Sequence, residues 1–278
     1  MPIDSVRAFL RSKGLGGVLV LKIAASDFDG TLNDKDRGIS LENVAAIKEW
    51  QTEGNKFGLV TGRNLELAKL GLEGYDIKLD FCVGLNGAVV FDENEQEVFG
   101  AELPTEIIEQ LWEHDIAGES PYVMLLQGKK TYVHWNTPDN NNPLYHAGLT
   151  EVTRAESLRI PHVMQMCFAA ASVSRAEELA SDINKRFGKL VAAEVNLHYV
   201  DVCSSGNDKG TGLANLQAAM KWEHDPLYVI GDDLNDLSMI ERFDGFAMEN
   251  ANPLVKEKAR ATFDSVGEML KYLQAADK

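Results

Sequence analysis

Two carboxylates separated by one residue, Asp27 and Asp29 in Asp27-Phe28-Asp29-Gly30-Thr31-Leu32, follow an apolar run over residues 18–25. Side chains in an extended strand repeat every two residues, so both acids would share a face. Gly30 and Thr31 then break the strand into a turn. Paired acids at the end of a buried strand are costly unless they bind a cation or do chemistry. The carboxyl ends of strands are also where open α/β sheets place ligands. The alternative is an acidic turn capping a strand. A calcium loop of the EF-hand kind fits poorly, because it needs acids at further fixed positions and a closing Glu.

Three more segments carry similar chemistry. Thr61-Gly62 ends a second apolar run and is followed by Arg63. A hydroxyl and a backbone N–H at a helix start can hold phosphoryl oxygens, although a Thr-Gly turn also serves as a plain N-cap. Arg63 reads as a solvated or helix-side residue. Lys209 opens a helix after Ser205-Gly206-Asn207-Asp208. A Lys near an acidic cluster can tether a nucleophile and stabilise charge on a transferring phosphoryl group; a lone Lys is ordinarily solvated. Gly231-Asp232-Asp233-Leu234-Asn235-Asp236 offers carboxylates to a metal, or an Asx-rich turn capping the next helix.

These segments must be placed by a fold. The chain has 278 residues, 45% hydrophobic and 25% charged, enough for more than one domain. Residues 18–26 read as a buried strand. Ser40 N-caps a helix with the stripe Leu41, Val44, Ile47 and Trp50. Strand 56–61, helix 65–72 and strand 81–84 follow, an alternation that argues for a parallel sheet covered on both faces. After Asn86-Gly87 the pattern changes. Hairpins are expected over 89–99, turning at Asp92-Glu93-Asn94-Glu95, and over 122–135, with a helix at 105–112 between them. A strand at 163–170, a helix with a Ser174/Glu177 capping box and strands over 190–202 complete an α+β block. Alternation resumes with helix 209–222, strand 227–230, helix 236–243, strand 245–248 and helix 266–274. One α/β domain, 1–88 and 204–278, is thus split by a second, 89–203.

Net charge is −16 with no basic run, which argues against nucleic acid and against anionic membranes. Such a chain can still bind a phosphorylated metabolite where a metal and one or two cations offset the local charge. Cys82, Cys167 and Cys203 are widely spaced, and the six histidines form no HxH or HxxxH pair. Reduced thiols in a cytoplasm are expected. No run approaches the ~20 apolar residues of a membrane span. The apolar part of 16–25 runs into Asp27 without a small-residue cleavage site, a poor fit to a signal peptide. Residues 1–20 are expected to be an extension before the domain, with a short amphipathic helix at 5–13, or a segment foreign to the natural protein.

Together the four segments, in this order, resemble the four motifs of the haloacid dehalogenase (HAD) superfamily. The block between the second and third has the length of a type C2 cap. Asn86-Gly87-Ala88, with Gly231-Asp232, Asn235-Asp236 and Asn250-Ala251, looks like the Cof-type, type IIB sugar-phosphatase branch. The resemblance covers nearly everything beyond residue 20. It implies an α/β fold: a Rossmann-like parallel-sheet core with an inserted α+β C2-type cap.

The resemblance also implies roles. Asp27 would be the nucleophile, forming an aspartyl-phosphate, and a ligand of Mg²⁺. Asp29 would be the acid and base, its backbone carbonyl a further ligand. Asp232 would complete the protein ligands, with Asp236 at or near the ion. Phe28, Thr61, Gly62, Lys209 and Asn235 would bind phosphate. Asn86 and Gly87 would line the substrate pocket. Asp208 departs from the family pattern, which often has Ser or another small residue before the Lys. The physics agrees: a phosphomonoester dianion repels an anionic nucleophile, and a carboxylate-bound Mg²⁺ lowers that barrier. Dehalogenases, by resemblance, lack an acid at position 29, having no alkoxide to protonate, so Asp29 favours phosphate esters.

The expected function is Mg²⁺-dependent hydrolysis of small phosphomonoesters, sugar phosphates foremost, in the cytoplasm. One rival is a phosphomutase of the same superfamily. Another is a catalytically silent phospholigand-binding protein, which predicts a degraded motif; none of the four is degraded. Within the cap, Tyr122, His134, Trp135, Asn140, His146 and Tyr199 are candidates for substrate contact.

Overall fold

The computed structural model describes residues 21–138 and 149–275. The expected extension over 1–20, and the candidates Asn140 and His146, lie outside them. Strand β1 (Ile23–Ser26) is followed by α1 (Leu41–Thr52), β2 (Lys56–Val60), α2 (Leu65–Gly71), β3 (Phe81–Gly84), β4 (Val89–Asp92) and β5 (Glu97–Gly100). The insert holds α3 (Thr105–Trp112), α4 (Asp115–Glu119), β6 (Tyr122–Leu126), β7 (Thr131–Trp135), β8 (Thr150–Glu151), α5 (Arg154–Ser157), β9 (Gln165–Ala169), α6 (Val173–Phe187), β10 (Val191–Asn196) and β11 (Tyr199–Ser204). The chain returns through α7 (Lys209–Met220), β12 (Leu227–Gly231), α8 (Leu237–Phe243), β13 (Phe246–Met248), α9 (Pro253–Lys258), β14 (Thr262–Phe263) and α10 (Val266–Ala275).

The large sheet has the order β14-β13-β12-β1-β2-β3-β4-β5. Its strands from β14 to β3 are parallel. Every residue of β1 is buried, as a strand covered on both faces requires. β1 lies between β2 and β12, the place where the strand order reverses and where such sheets open a crevice at their carboxyl ends.

The hairpin expected to begin the insert belongs to this sheet instead. β4 pairs antiparallel with β3, and β5 with β4. A tight turn at Leu85, Asn86 and Gly87, all at positive φ, reverses the chain directly onto β3. The second sheet, β10-β11-β9-β6-β7-β8, is antiparallel apart from the β7–β8 pair. Its two faces follow the period of the strands. Val123, Leu125, Met166, Phe168, Val200 and Val202 pack with Ile107, Leu111 and Ile183 of the cap helices. The alternate residues Tyr122, Met124, Leu126 and Cys167 join the core of the large domain.

Two local expectations shift. Ser40 caps α1 by accepting from Asn43 N, but Leu41 is exposed; Asn43, Ala46, Ile47 and Trp50 form the buried side. Helix α6 starts earlier than the Ser174/Glu177 box implied, because Ser172 Oγ accepts from Arg175 N. Among the described residues no helix is long and apolar enough to cross a membrane.

Candidate active site

Asp27 is the first residue past β1, and its N–H donates to Ile230 O of β12 at 2.9 Å. The ends of these neighbouring strands therefore bring Asp27 beside the loop carrying Asp232. Gly30 has φ +97°, and a Cβ there would lie 2.4 Å from Asp232 Oδ2. Glycine thus serves both the left-handed turn and the close approach of that carboxylate. Thr31 Oγ1 donates to Asp232 Oδ1 at 2.6 Å.

Lys209 is the first residue of α7. Asp208 caps this helix: its Oδ1 accepts from Thr211 N at 2.7 Å, and Thr211 Oγ1 accepts from Asp208 N at 2.8 Å. The residue that departs from the family pattern therefore anchors the turn that aims Lys209. Lys209 is 1% exposed. Its Nζ donates to Asp27 Oδ1 and to Asp236 Oδ1, both at 2.6 Å. Asp236 Oδ2 accepts from Asp232 N at 2.8 Å and Asp233 N at 3.0 Å. Asp236 thus orients Lys209 and folds the loop with the same carboxylate.

One carboxylate oxygen from each of Asp27, Asp232 and Asp236 lies within 4.8 Å of the others. Three acids face one ammonium, so the cluster is short of positive charge. Burial pushes the Asp27 carboxyl up to about 8; Lys209 opposes this, while Asp236 and Asp232 add to it. Burial also raises Asp232 to about 6, against the Thr31 hydrogen bond. Burial disfavours the Lys209 ammonium, but Asp236 and Asp27 outweigh it and hold its pKa above the ordinary range. Hard oxygen donors with excess negative charge suit a divalent cation. Asp27 and Asp232 fit as ligands; both oxygens of Asp236 already accept hydrogen bonds.

A cavity of about 320 Å³ opens over this cluster. Asp27, Asp29, Thr61, Gly62, Asp232 and Asn235 line it from the core. Thr61 is buried, and its Oγ1 accepts from Arg63 N at 3.1 Å. Asp29 stands apart from the three clustered acids. Its carboxylate is bound by Arg63, through Nε to Oδ2 at 2.8 Å and Nη2 to Oδ1 at 2.7 Å. Arg63 also lines the cavity, so its reading as a solvated residue is corrected.

Other expected contacts fall elsewhere. The Phe28 side chain is buried, with the Arg63 guanidinium 4.7 Å over its ring, so any phosphate contact from Phe28 must come from its backbone. Neither Asn86 nor Gly87 lines the cavity. Asn86 is buried behind it, its Oδ1 accepting from Asn235 Nδ2 at 3.4 Å. Gly87, at φ +98°, packs against the Asp208 backbone, where a Cβ would lie 2.0 Å from the carbonyl oxygen. His134 turns to Val152 O at 2.9 Å, and the Trp135 ring packs at a tilt against Tyr122. Of the described cap candidates only Tyr199 lines the cavity; its hydroxyl accepts from Tyr122 at 3.1 Å. Sequence reasoning missed Met124, Leu126, Gln165, Cys167 and Asp201, which form the roof. The period-2 pattern of β6, β9 and β11 was the available signal.

Comparison with known proteins agrees with this architecture. A pyridoxal phosphate phosphatase of Escherichia coli is 24% identical over 272 residues, covering 91% of this chain and 98% of its own length. A 5-amino-6-(5-phospho-D-ribitylamino)uracil phosphatase of Bacillus subtilis is 26% identical over 241 residues, covering 86% of this chain and 88% of its own. A solved sugar phosphatase of HAD subclass IIB superposes with a TM-score of 0.74 at 20% identity, covering 91% of this chain and 99% of its own. The family model for haloacid dehalogenase-like hydrolases matches residues 24–268. Because that match runs from β1 through the cap into α10, the chain belongs to the haloacid dehalogenase-like hydrolases.

Proposed function

We propose that this protein is an Mg²⁺-dependent phosphatase that hydrolyses small phosphomonoesters through an aspartyl-phosphate on Asp27. The observation that carries the reading is the buried Lys209 bridging Asp27 and Asp236, behind a cavity that Asp27 and Asp232 line together with Thr61 and Asp29. The phosphatase names of the relatives support it. Free Cys82, Cys167 and Cys203, all buried, suit a cytoplasmic setting.

Lys209 holds Asp27 Oδ1, which leaves Oδ2 to attack phosphorus. As that P–O bond forms, the bond to the leaving alcohol breaks; Asp29, protonated on an oxygen released from the Arg63 fork while the other stays held, gives the departing oxygen its proton. Asp29 then takes a proton from water, whose oxygen attacks phosphorus. The bond to Asp27 breaks, and inorganic phosphate leaves. Thr61 Oγ1, the Gly62 N–H and Asn235 receive the phosphoryl oxygens, and Lys209 offsets their charge. An Mg²⁺ held by Asp27, Asp232 and the Asp29 carbonyl would neutralise the phosphate dianion and orient it.

Replacing Asp27 with Asn tests the reading. With the circular dichroism spectrum unchanged, hydrolysis of p-nitrophenyl phosphate in Mg²⁺ is expected to vanish. Retained turnover would sink the nucleophile assignment. Turnover by the wild type that survives a chelator would sink the metal.

A further inference from the structure

The roof of the cavity is one face of the cap sheet. Alternate residues point down from it: Met124 and Leu126 of β6, Gln165 and Cys167 of β9, and Tyr199 and Asp201 of β11. Leu197, in the turn between β10 and β11, adds another apolar side chain, and Asn196 at the end of β10 a polar one. Most of this surface is aliphatic, aromatic or sulfur. Such a surface suits the face of a flat ring better than a polyol, which needs a polar partner at each hydroxyl.

Asp201 is the roof's only carboxylate among the described residues lining the cavity, and it is 6% exposed. Its protein partners are weak. Asn86 Nδ2 lies 3.5 Å from Oδ2, the outer limit of a hydrogen bond. The Cys167 thiol is the other donor, and thiols donate poorly. A nearly buried carboxylate so lightly engaged retains strong acceptor capacity toward the cavity. Burial raises its pKa to about 6, so it is ionised in neutral buffer. Glu194, its cross-strand neighbour, lies on the same face. An N–H or ammonium group would complete a charge-assisted hydrogen bond there.

We propose, resting on the phosphatase reading above, that Asp201 is a specificity residue for substrates whose leaving alcohol carries a flat ring bearing an amino or N–H group. The phosphate lies on the core floor, the ring under Met124, Leu126 and Tyr199, and the nitrogen at Asp201.

The test compares kcat/KM of the wild type and Asp201→Asn on benzyl phosphate, meta-(aminomethyl)benzyl phosphate and glucose 6-phosphate, with Mg²⁺. The wild type should prefer the amine over benzyl phosphate by on the order of 10-fold, as expected for a hydrogen bond to a charged group. Asp201→Asn should erase that preference while leaving benzyl phosphate within about 2-fold, since the apolar shelf is intact. Equal losses on both benzyl esters would make Asp201 merely structural and overturn the proposal. Wild-type indifference to the amine, or preference for glucose 6-phosphate, overturns it without recourse to any variant. Failure of the wild type to hydrolyse p-nitrophenyl phosphate overturns the phosphatase reading itself, a distinct result.

Discussion

Arg63 binds both carboxylate oxygens of Asp29 with the planar edge of its guanidinium. Nη1 also donates to Leu67 O at 3.2 Å, and the guanidinium plane lies over the Phe28 ring. The pair is partly exposed, with side chains 33% and 41% accessible, so water screens it and its contribution to stability is small. Its value is geometric. A bidentate fork fixes the orientation of a carboxylate in a way that a single Lys ammonium cannot. The proposed acid and base is thereby held by a residue on the same loop as Thr61.

Replacing Arg63 with Ala should therefore damage proton transfer more than binding or stability. General acid catalysis contributes roughly 10²–10⁴-fold, and a mispositioned acid forfeits part of that. For an alkyl phosphate kcat/KM should fall about 10- to 100-fold. For p-nitrophenyl phosphate, whose leaving group departs without a proton, the fall should be much smaller. Because kcat/KM reports the first irreversible step, the contrast isolates departure of the alcohol. Equal losses on both esters would remove Arg63 from the acid's support.

Lys209 is, among the described residues, the one ammonium paired with the two buried acids Asp27 and Asp236, and its loss should show in both stability and rate. Lys209→Met leaves Asp27 and Asp236 facing each other without compensation. Breaking a buried pair in this way costs about 3–5 kcal/mol. Chelator-treated variant should lose that much in denaturant unfolding. Saturating Mg²⁺ should restore part of it, because a ligand bound only by the folded state stabilises by mass action. Activity should drop by at least about 10²-fold, on the scale of removing one preorganised charge from a transferring phosphoryl group. A variant as stable as the wild type without metal would contradict the charge balance inferred for the site.

The raised acids also set a pH dependence. Burial lifts Asp201 and Asp232 to about 6 and Asp27 to about 8. A group whose folded pKa exceeds its unfolded value of about 3.9 binds its proton more tightly when folded. Its stabilisation is full below pH 4 and is lost as pH rises through the folded value. The metal-free protein should thus weaken from about pH 4 to pH 8. For Asp201 alone the loss is roughly 3 kcal/mol, at 1.36 kcal/mol per unit. Urea unfolding across this range, on wild type and Asp201→Asn, checks it: the variant should gain relative to the wild type as pH rises to 7. A constant difference would mean that Asp201 titrates as in water.

Much of the core and its site was legible because each catalytic segment is contiguous: an apolar strand, a turn glycine, and polar groups at the strand's end. What joins segments was less so. Arg63 follows Thr61-Gly62 directly, yet its partner Asp29 lies on another strand's loop, and no local pattern links a cation to an acid across a sheet. The β4–β5 hairpin shows the same limit. Alternation and an Asx turn identify two strands, but the sheet that receives them depends on the reversal at Leu85–Gly87. The roof is spread over β6, β9 and β11. Periodicity divides these strands into two faces without telling which one meets the core, so Asp201 passed unnoticed while Trp135 and His134 attracted attention by residue type.

Asp208 and Gly87 separate two ways of disturbing the same junction. Asp208→Ala removes the side-chain cap of α7 while leaving the backbone path open. The cost should be about 1 kcal/mol, the ordinary value for an N-cap. Because Lys209 is the next residue, kcat should fall a few-fold, with the loss partly recovered in Asp208→Ser, which keeps a capping oxygen. Gly87→Ala acts differently. Its new Cβ would meet the Asp208 carbonyl oxygen at 2.0 Å, backbone against backbone, at a φ of +98° that suits glycine. Neither partner can rotate away, so α7 or the β3–β4 turn must move. Gly87→Ala should therefore lose several times the stability that Asp208→Ala loses, read as the shift in urea midpoint at constant slope. A Gly87→Ala protein as stable as Asp208→Ala would mean that the junction yields, and that Lys209 is held by its ion pairs more than by the helix that presents it.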